Sequence, residues 1–250
     1  MPKINDLSME ERALPTTAFG YSATRLDALG AAEYTLVTLA VDVSGSVGPY
    51  AADMEQAIRE VVNACKLSPR ADNLMLRMIT FNDHMREVHG FKLLANCNLD
   101  DYRGCLSCGG MTALFDAAEH AVHAQADYAR TLVGSDYAVN GVAVIISDGC
   151  DNASAGGPGQ VRAQLERAIQ SEALESQVSI LVGVGVGNDP QVSGALVAFQ
   201  QEAGIGQYVE TKDASARTLA KLAAFVSKSI SAQSQALGTG GPSQPMSFSL

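Results

Sequence analysis

YTLVTLAV, Tyr34 to Val41, runs without a break into DVSGS, Asp42 to Ser46. The first eight residues are nearly all apolar and rich in Val, Thr and Leu, as a strand buried on both faces requires. Pro49 then opens a helical pattern that places Tyr50, Met54, Ala57, Ile58, Val61, Val62 and Cys65 on one face. Proline is tolerated at a first helical position because the N–H it lacks would be unpaired there anyway. A buried strand, a loop of Asp, Ser and Gly, and an amphipathic helix therefore follow one another within about 30 residues, the scale of a single βα unit.

The same alternation continues outward. Leu74 to Phe81 (LMLRMITF) reads as the next strand, and Val88 to Leu94 adds a short edge strand. Ala113 to Tyr128 has helical spacing, and Val142 to Ile146 (VAVII) is a third buried strand that ends at Ser147-Asp148-Gly149. Ser179 to Val186 (SILVGVGV) is a fourth strand, flanked by helices carrying Val161 and Leu165 before it and Leu196 and Phe199 after it. A short strand at Gln207 to Glu210 and a helix through Leu219, Leu222, Val226 and Ile230 complete the pattern. Such alternation predicts an α/β fold, a doubly wound and mainly parallel sheet with helices on both faces and one short antiparallel edge strand. Residues 1–30 read as an N-terminal arm without periodicity, 31–231 as the domain, and 232–250 as a flexible tail of Gly, Ser, Pro and Gln.

Composition narrows the classes of function. Lys and Arg number 17 against 27 Asp and Glu, a formal charge of -10, which disfavours electrostatic capture of nucleic acid or of an anionic membrane. No run of eighteen apolar residues predicts a membrane span. Met1 to Leu14 lacks the basic-then-apolar layout of a secretory signal, so the expected location is the cytoplasm. Five cysteines, an odd number, suit a reducing compartment. Cys105 and Cys108 have the inner spacing of a zinc pair, but Cys97 and Cys150 stand singly, so small loop or buried thiols are the expected reading.

The chemistry gathers on three loops. Asp42-Val43-Ser44-Gly45-Ser46 leaves the first strand, Gly109-Gly110-Met111-Thr112 precedes a helix, and Ser147-Asp148-Gly149 leaves the third buried strand. In sheets of this kind ligands bind beyond the carboxyl ends of the strands, where the connections change direction. There the three loops would bring together two carboxylates and three hydroxyls, hard oxygen donors that suit Mg²⁺, with Mn²⁺ or Ca²⁺ as alternatives. Each residue also has a structural reading: Asp42 and Ser44 can brace a tight turn, Thr112 can cap a helix, and Ser147-Asp148-Gly149 can be an ordinary turn. Their order at the ends of the right strands favours the site.

Competing chemistries find less support. Neither Ser44 nor Ser46 is framed by glycines at both flanking positions, as a nucleophile elbow requires. His120 and His123 lie at i, i+3 without an H-E-x-x-H frame and read as a solvated helix edge, and His84 and His89 read as surface residues. Gly183 to Gly187 alternates glycine and valine largely within a strand and does not match a dinucleotide fingerprint. A metal-dependent phosphoryl-transfer or hydrolytic enzyme lacks a nameable nucleophile or base, and a purely structural scaffold is the remaining alternative.

Asp42-x-Ser44-x-Ser46, Thr112 after a Gly-Gly pair, and Asp148 before Gly149 resemble the metal-ion-dependent adhesion site (MIDAS) of von Willebrand factor type A (vWA) domains, whose sheet is Rossmann-like. The resemblance runs from about Tyr34 to Ile230 and includes the element order. It implies that Ser44, Ser46 and Thr112 ligate the ion, that Asp42 and Asp148 act mainly through bound water, and that an open position accepts a carboxylate from a protein partner. The function so implied is metal-dependent protein binding, not catalysis. The chain looks most like intracellular bacterial-type members, a likeness that implies work beside a MoxR-type AAA ATPase or in a tellurite-resistance-like stress system.

Overall fold

The computed structural model describes residues 8–14, 19–171 and 173–239. The start of the expected arm, residues 1–7, and the last part of the expected tail, residues 240–250, lie outside the described residues.

The chain builds eight strands, β1 (Met9–Arg12), β2 (Tyr21–Thr24), β3 (Glu33–Asp42), β4 (Leu74–Phe81), β5 (Met85–Leu93), β6 (Ala138–Ser147), β7 (Ser176–Gly183) and β8 (Gln207–Glu210). Five helices accompany them: α1 (Ala51–Lys66), α2 (Leu114–Val133), α3 (Pro158–Gln170), α4 (Pro190–Ala203) and α5 (Ala216–Thr239). One sheet holds all the strands in the order β1-β2-β5-β4-β3-β6-β7-β8. The run from Tyr34 to Val41 is fully buried because β3 sits at the sheet's centre, parallel to β4 on one side and to β6 on the other. Its side chains alternate between two cores, as a period of two demands. Tyr34, Leu36 and Ala40 face α2, α3 and α4, whereas Val37, Leu39 and Val41 face α1 and α5. The fold is thus the doubly wound α/β arrangement with helices on both faces.

Three features differ from the sequence reading. The sheet has the expected short antiparallel edge strand, but it is β1 and not the strand after β4, because β2 pairs beyond β5 and β1 forms the outer strand. Residues 9–12 and 21–24 of the expected arm are therefore part of the sheet. The last helix does not stop near Ile230 but runs to Thr239, so residues 232–239 are helical. Gln233 and Ser234 are buried despite their polarity, and the carbonyl of Gln233 accepts from Asn140 Nδ2 at 3.3 Å. The histidines at i, i+3 are also inside: His120 and His123 are both buried on α2 instead of lying on a solvated edge. His84 is exposed, as expected, while His89 is partly covered and pairs with the Tyr102 hydroxyl at 2.8 Å.

Candidate metal-binding site

The parallel register sets the site. Val41 of β3 is paired with Ile146 of β6, so the next residues along, Asp42 and Ser147, end side by side. The Ser147 hydroxyl donates to Asp42 Oδ2 at 2.6 Å. Asp42 Oδ1 accepts from the Ser44 amide at 2.7 Å, which turns the chain as β3 ends. From there Ser44 Oγ stands 3.2 Å from Ser46 Oγ, and Ser46 Oγ donates to Asp148 Oδ1 at 2.9 Å. Asp42, Ser44, Ser46 and Asp148 are thus joined in one chain of short polar contacts across the carboxyl ends of β3 and β6. This is the place where the connections diverge, α1 leading to β4 and α2 leading to β6 on the opposite face.

Thr112 arrives on the third loop. The Gly109 amide donates to the Val43 carbonyl at 2.8 Å and the Gly45 amide to the Gly110 carbonyl at 3.3 Å, which pins the two glycine loops together. Gly110 is needed there: its φ is +78°, and a Cβ would strike the Asp83 carboxylate. The Thr112 amide donates to Asn152 Oδ1 at 2.7 Å, and its carbonyl accepts from the Asn152 amide at 2.9 Å, tying it to the loop that follows Asp148. Asp116 Oδ1 and Oδ2 extend this stitching by accepting from the amides of Gly156 and Ala155, each at 2.9 Å. Thr112 is not the helix cap: α2 begins at Leu114 with Ala113 in the capping position. Ser44 likewise makes no side-chain cap bond to the short 3-10 turn, Gly45–Tyr50, that it precedes.

Burial divides the residues into a floor and a mouth. Asp42, Ser44 and Thr112 are each under 5% exposed, Ser46 is exposed and Asp148 is half-buried. Burial pushes the Asp42 carboxyl up, hydrogen bonds from Ser147 and Ser44 oppose that shift, and the charge of Asp148 adds to it. Among the described residues neither Asp42 nor Asp148 has an ion-pair partner. Two neighbouring carboxylates without a cation, ringed by hydroxyls, are a donor set that fits a hard divalent ion.

Sequence reasoning treated Ser147 as a turn residue and had no signal for Asn82 or Asn152. Asn82 holds the glycine loop through its Nδ2, which donates to the Gly109 carbonyl at 2.6 Å. All five cysteines are free thiols, with Cys97 and Cys105 buried in the core beside α1 and Cys108 and Cys150 partly exposed. Among the described residues no group of three or more His, Cys, Asp or Glu side chains is arranged to hold a metal. The cysteine loop is anchored by Glu55 of α1, which accepts from the amides of Gly104 at 2.9 Å and Leu106 at 3.1 Å.

The architecture is similar to the vWA-like fold of solved structures. The chain is similar to a von Willebrand factor type A protein from Catenulispora acidiphila, with 20% identity and a TM-score of 0.53 over 82% of this chain and 43% of that one. It is also similar to the PilB minor pilin from Streptococcus sanguinis, at 15% identity and a TM-score of 0.58, covering 88% of this chain and 66% of the pilin. A third likeness is to proximal thread matrix protein 1 from the mussel byssus, described with a zinc-occupied MIDAS motif, at 18% identity and a TM-score of 0.50 over 79% of this chain and 46% of that one. The chain therefore spans about two thirds of the pilin's length and under half of the other two. No protein-family model matches the sequence. No curated protein matches it either. Among the described residues no helix is long and apolar enough to cross a membrane.

Proposed function

We propose that the chain is a metal-dependent protein-binding module and not an enzyme. The observation that carries this reading is the polar chain from Ser147 through Asp42, Ser44 and Ser46 to Asp148, two carboxylates at the sheet's switch point with no ion-pair partner among the described residues. Ser44, Ser46 and Thr112 would ligate a Mg²⁺-type ion, with Asp42 and Asp148 acting through water. When bound, the ion supplies an electrophilic position that can take an anionic ligand. Buried Asp42, Ser44 and Thr112 form the rigid floor, while exposed Ser46 and half-buried Asp148 line the side open to a partner.

The electrostatics make the binding conditional. Without a cation the two carboxylates repel an acidic residue; a divalent cation would offset their charge and, held by neutral hydroxyls, would still attract an anionic ligand. A carboxylate from a protein partner is the ligand this arrangement suits. Mn²⁺ or Ca²⁺ are alternative ions, and the zinc-occupied motif of the byssus protein supports testing Zn²⁺ as well. The setting we propose is cytoplasmic, with a MoxR-type AAA ATPase or a stress-response assembly as the partner. The test is affinity capture from a lysate with Mg²⁺ or with chelator, using the parent chain and Asp42→Ala. A partner retained only by the parent and only with Mg²⁺ is the expected result. Equal retention in chelator and by the variant would overturn the reading.

A further inference from the structure

Tyr50 closes the 3-10 turn that carries Ser46 and occupies the capping position of α1. Its ring packs against the core beside α1, and its hydroxyl oxygen is buried with no hydrogen-bond partner among the described residues. That oxygen lies toward the Asp148 carboxylate, with Asp42 and Cys108 further around it, yet closes no hydrogen bond of ordinary geometry. Toward the carboxylates the phenol O–H can act only as a donor.

A buried hydroxyl left unpaired costs about 1–3 kcal/mol, and phenylalanine would fill the same apolar space without that cost. The oxygen is thus unexplained by packing. We infer that the Tyr50 hydroxyl is a positioning group of the cation site, donating to the Asp148 carboxylate and fixing its orientation when a divalent cation is bound between the loops. This rests on the metal-binding reading proposed above and adds to it a residue outside the Asp-Ser-Ser, Thr and Asp set. Tyr50 acts through Asp148 and does not itself reach the ion. Ser46 would then hold one Asp148 oxygen, as the 2.9 Å contact already shows, and Tyr50 would fix the carboxylate from the α1 side. Partners that orient metal-binding carboxylates are commonly worth 10–100-fold in affinity.

The experiment compares the full chain with Tyr50→Phe in two measurements, Mn²⁺ titration and thermal melting of the chelated, metal-free protein. The expected result is Mn²⁺ affinity reduced about 10–100-fold in the variant. Its metal-free melting temperature should be unchanged or slightly higher, because the inferred role of the hydroxyl is exerted on the cation-bound site. Equal Mn²⁺ affinity in both proteins would overturn the role of Tyr50 while leaving the metal site standing. A metal-free melting temperature that falls clearly in the variant would also overturn it, since the hydroxyl would then serve the fold. A parent chain that takes up no Mn²⁺ would overturn both the metal-binding reading and this inference.

Discussion

The Ser147 hydroxyl donates to Asp42 Oδ2 at 2.6 Å and joins the last residue of β6 to the last residue of β3. The bond links the two central strands at the point where the candidate site begins. It also gives a buried carboxylate one of the few donors within its reach, beside the Ser44 amide.

Ser147→Ala should therefore destabilise the metal-free protein. Removing one partner of a buried, charge-assisted hydrogen bond costs about 1–3 kcal/mol. Urea unfolding in chelator measures it directly. A loss below about 0.5 kcal/mol, the size of an ordinary surface change, would show that Asp42 does not depend on this bond.

The N-terminal strands make a second prediction. Gly90 of β5 faces Ser22 of β2 so closely that an added Cβ would strike the Ser22 carbonyl oxygen. Gly90→Ala should push β2 off the sheet and destabilise the fold by more than about 2 kcal/mol, since backbone cannot yield as a side chain tip can. Hydrogen exchange should show protection lost first in residues 9–12 and 21–24. Unchanged protection there would contradict the docking of β1 and β2 described above.

How far the sequence discloses this structure depends on where burial comes from. Strands β4 and β8 match the expected residues end to end, and the Asp42 and Ser147 loops leave the expected strands, because apolar runs and Asp-Ser-Gly loops are local signals. The strands β1 and β2 give no such signal. Each has four residues, β1 reads Met-Glu-Glu-Arg, and β2 is held by groups distant in the chain. The Glu87 carboxylate accepts from the Ser22 amide at 2.9 Å and hydroxyl at 2.6 Å and pairs with buried Arg77 at 2.8 Å. Polar burial of that kind leaves no periodicity. The end of α5 hides for the same reason, since Gln233 and Ser234 are buried although a composition argument counts such residues as solvent-facing, and Gln233 bonds Ser176 and Asn140. At the site, Asp42, Ser44, Ser46 and Asp148 come together as their order suggests, whereas Tyr50 read only as one more apolar-face residue.

The same network sets a pH dependence. His120 is buried, with Nδ1 3.4 Å from the Arg77 guanidinium and Nε2 facing the Phe19 carbonyl at 3.3 Å. Nδ1 therefore accepts from Arg77 and Nε2 carries the proton, an arrangement open only to the neutral ring. Burial first and the Arg77 charge second push its pKa down to about 3. This lies below the unfolded value of about 6.5, so the unfolded chain binds the extra proton. The stability held by neutral His120 is complete above about pH 6.5 and is lost as the pH falls from there toward 3. Between pH 7 and pH 5 the parent should lose about 2 kcal/mol more than His120→Gln, by linkage for one proton. Parallel losses in both proteins, measured by urea unfolding at each pH, would show that His120 is not held neutral.

A cation held where β3 and β6 end is tested most directly by calorimetric titration of chelated protein with Mg²⁺, Mn²⁺, Ca²⁺ and Zn²⁺. The parent chain should bind at least one of these ions at a single site, and Asp42→Ala should lose that binding while keeping its fold by circular dichroism. Binding that persists unchanged in Asp42→Ala, or no uptake of any of the four ions by the parent, would contradict the claim.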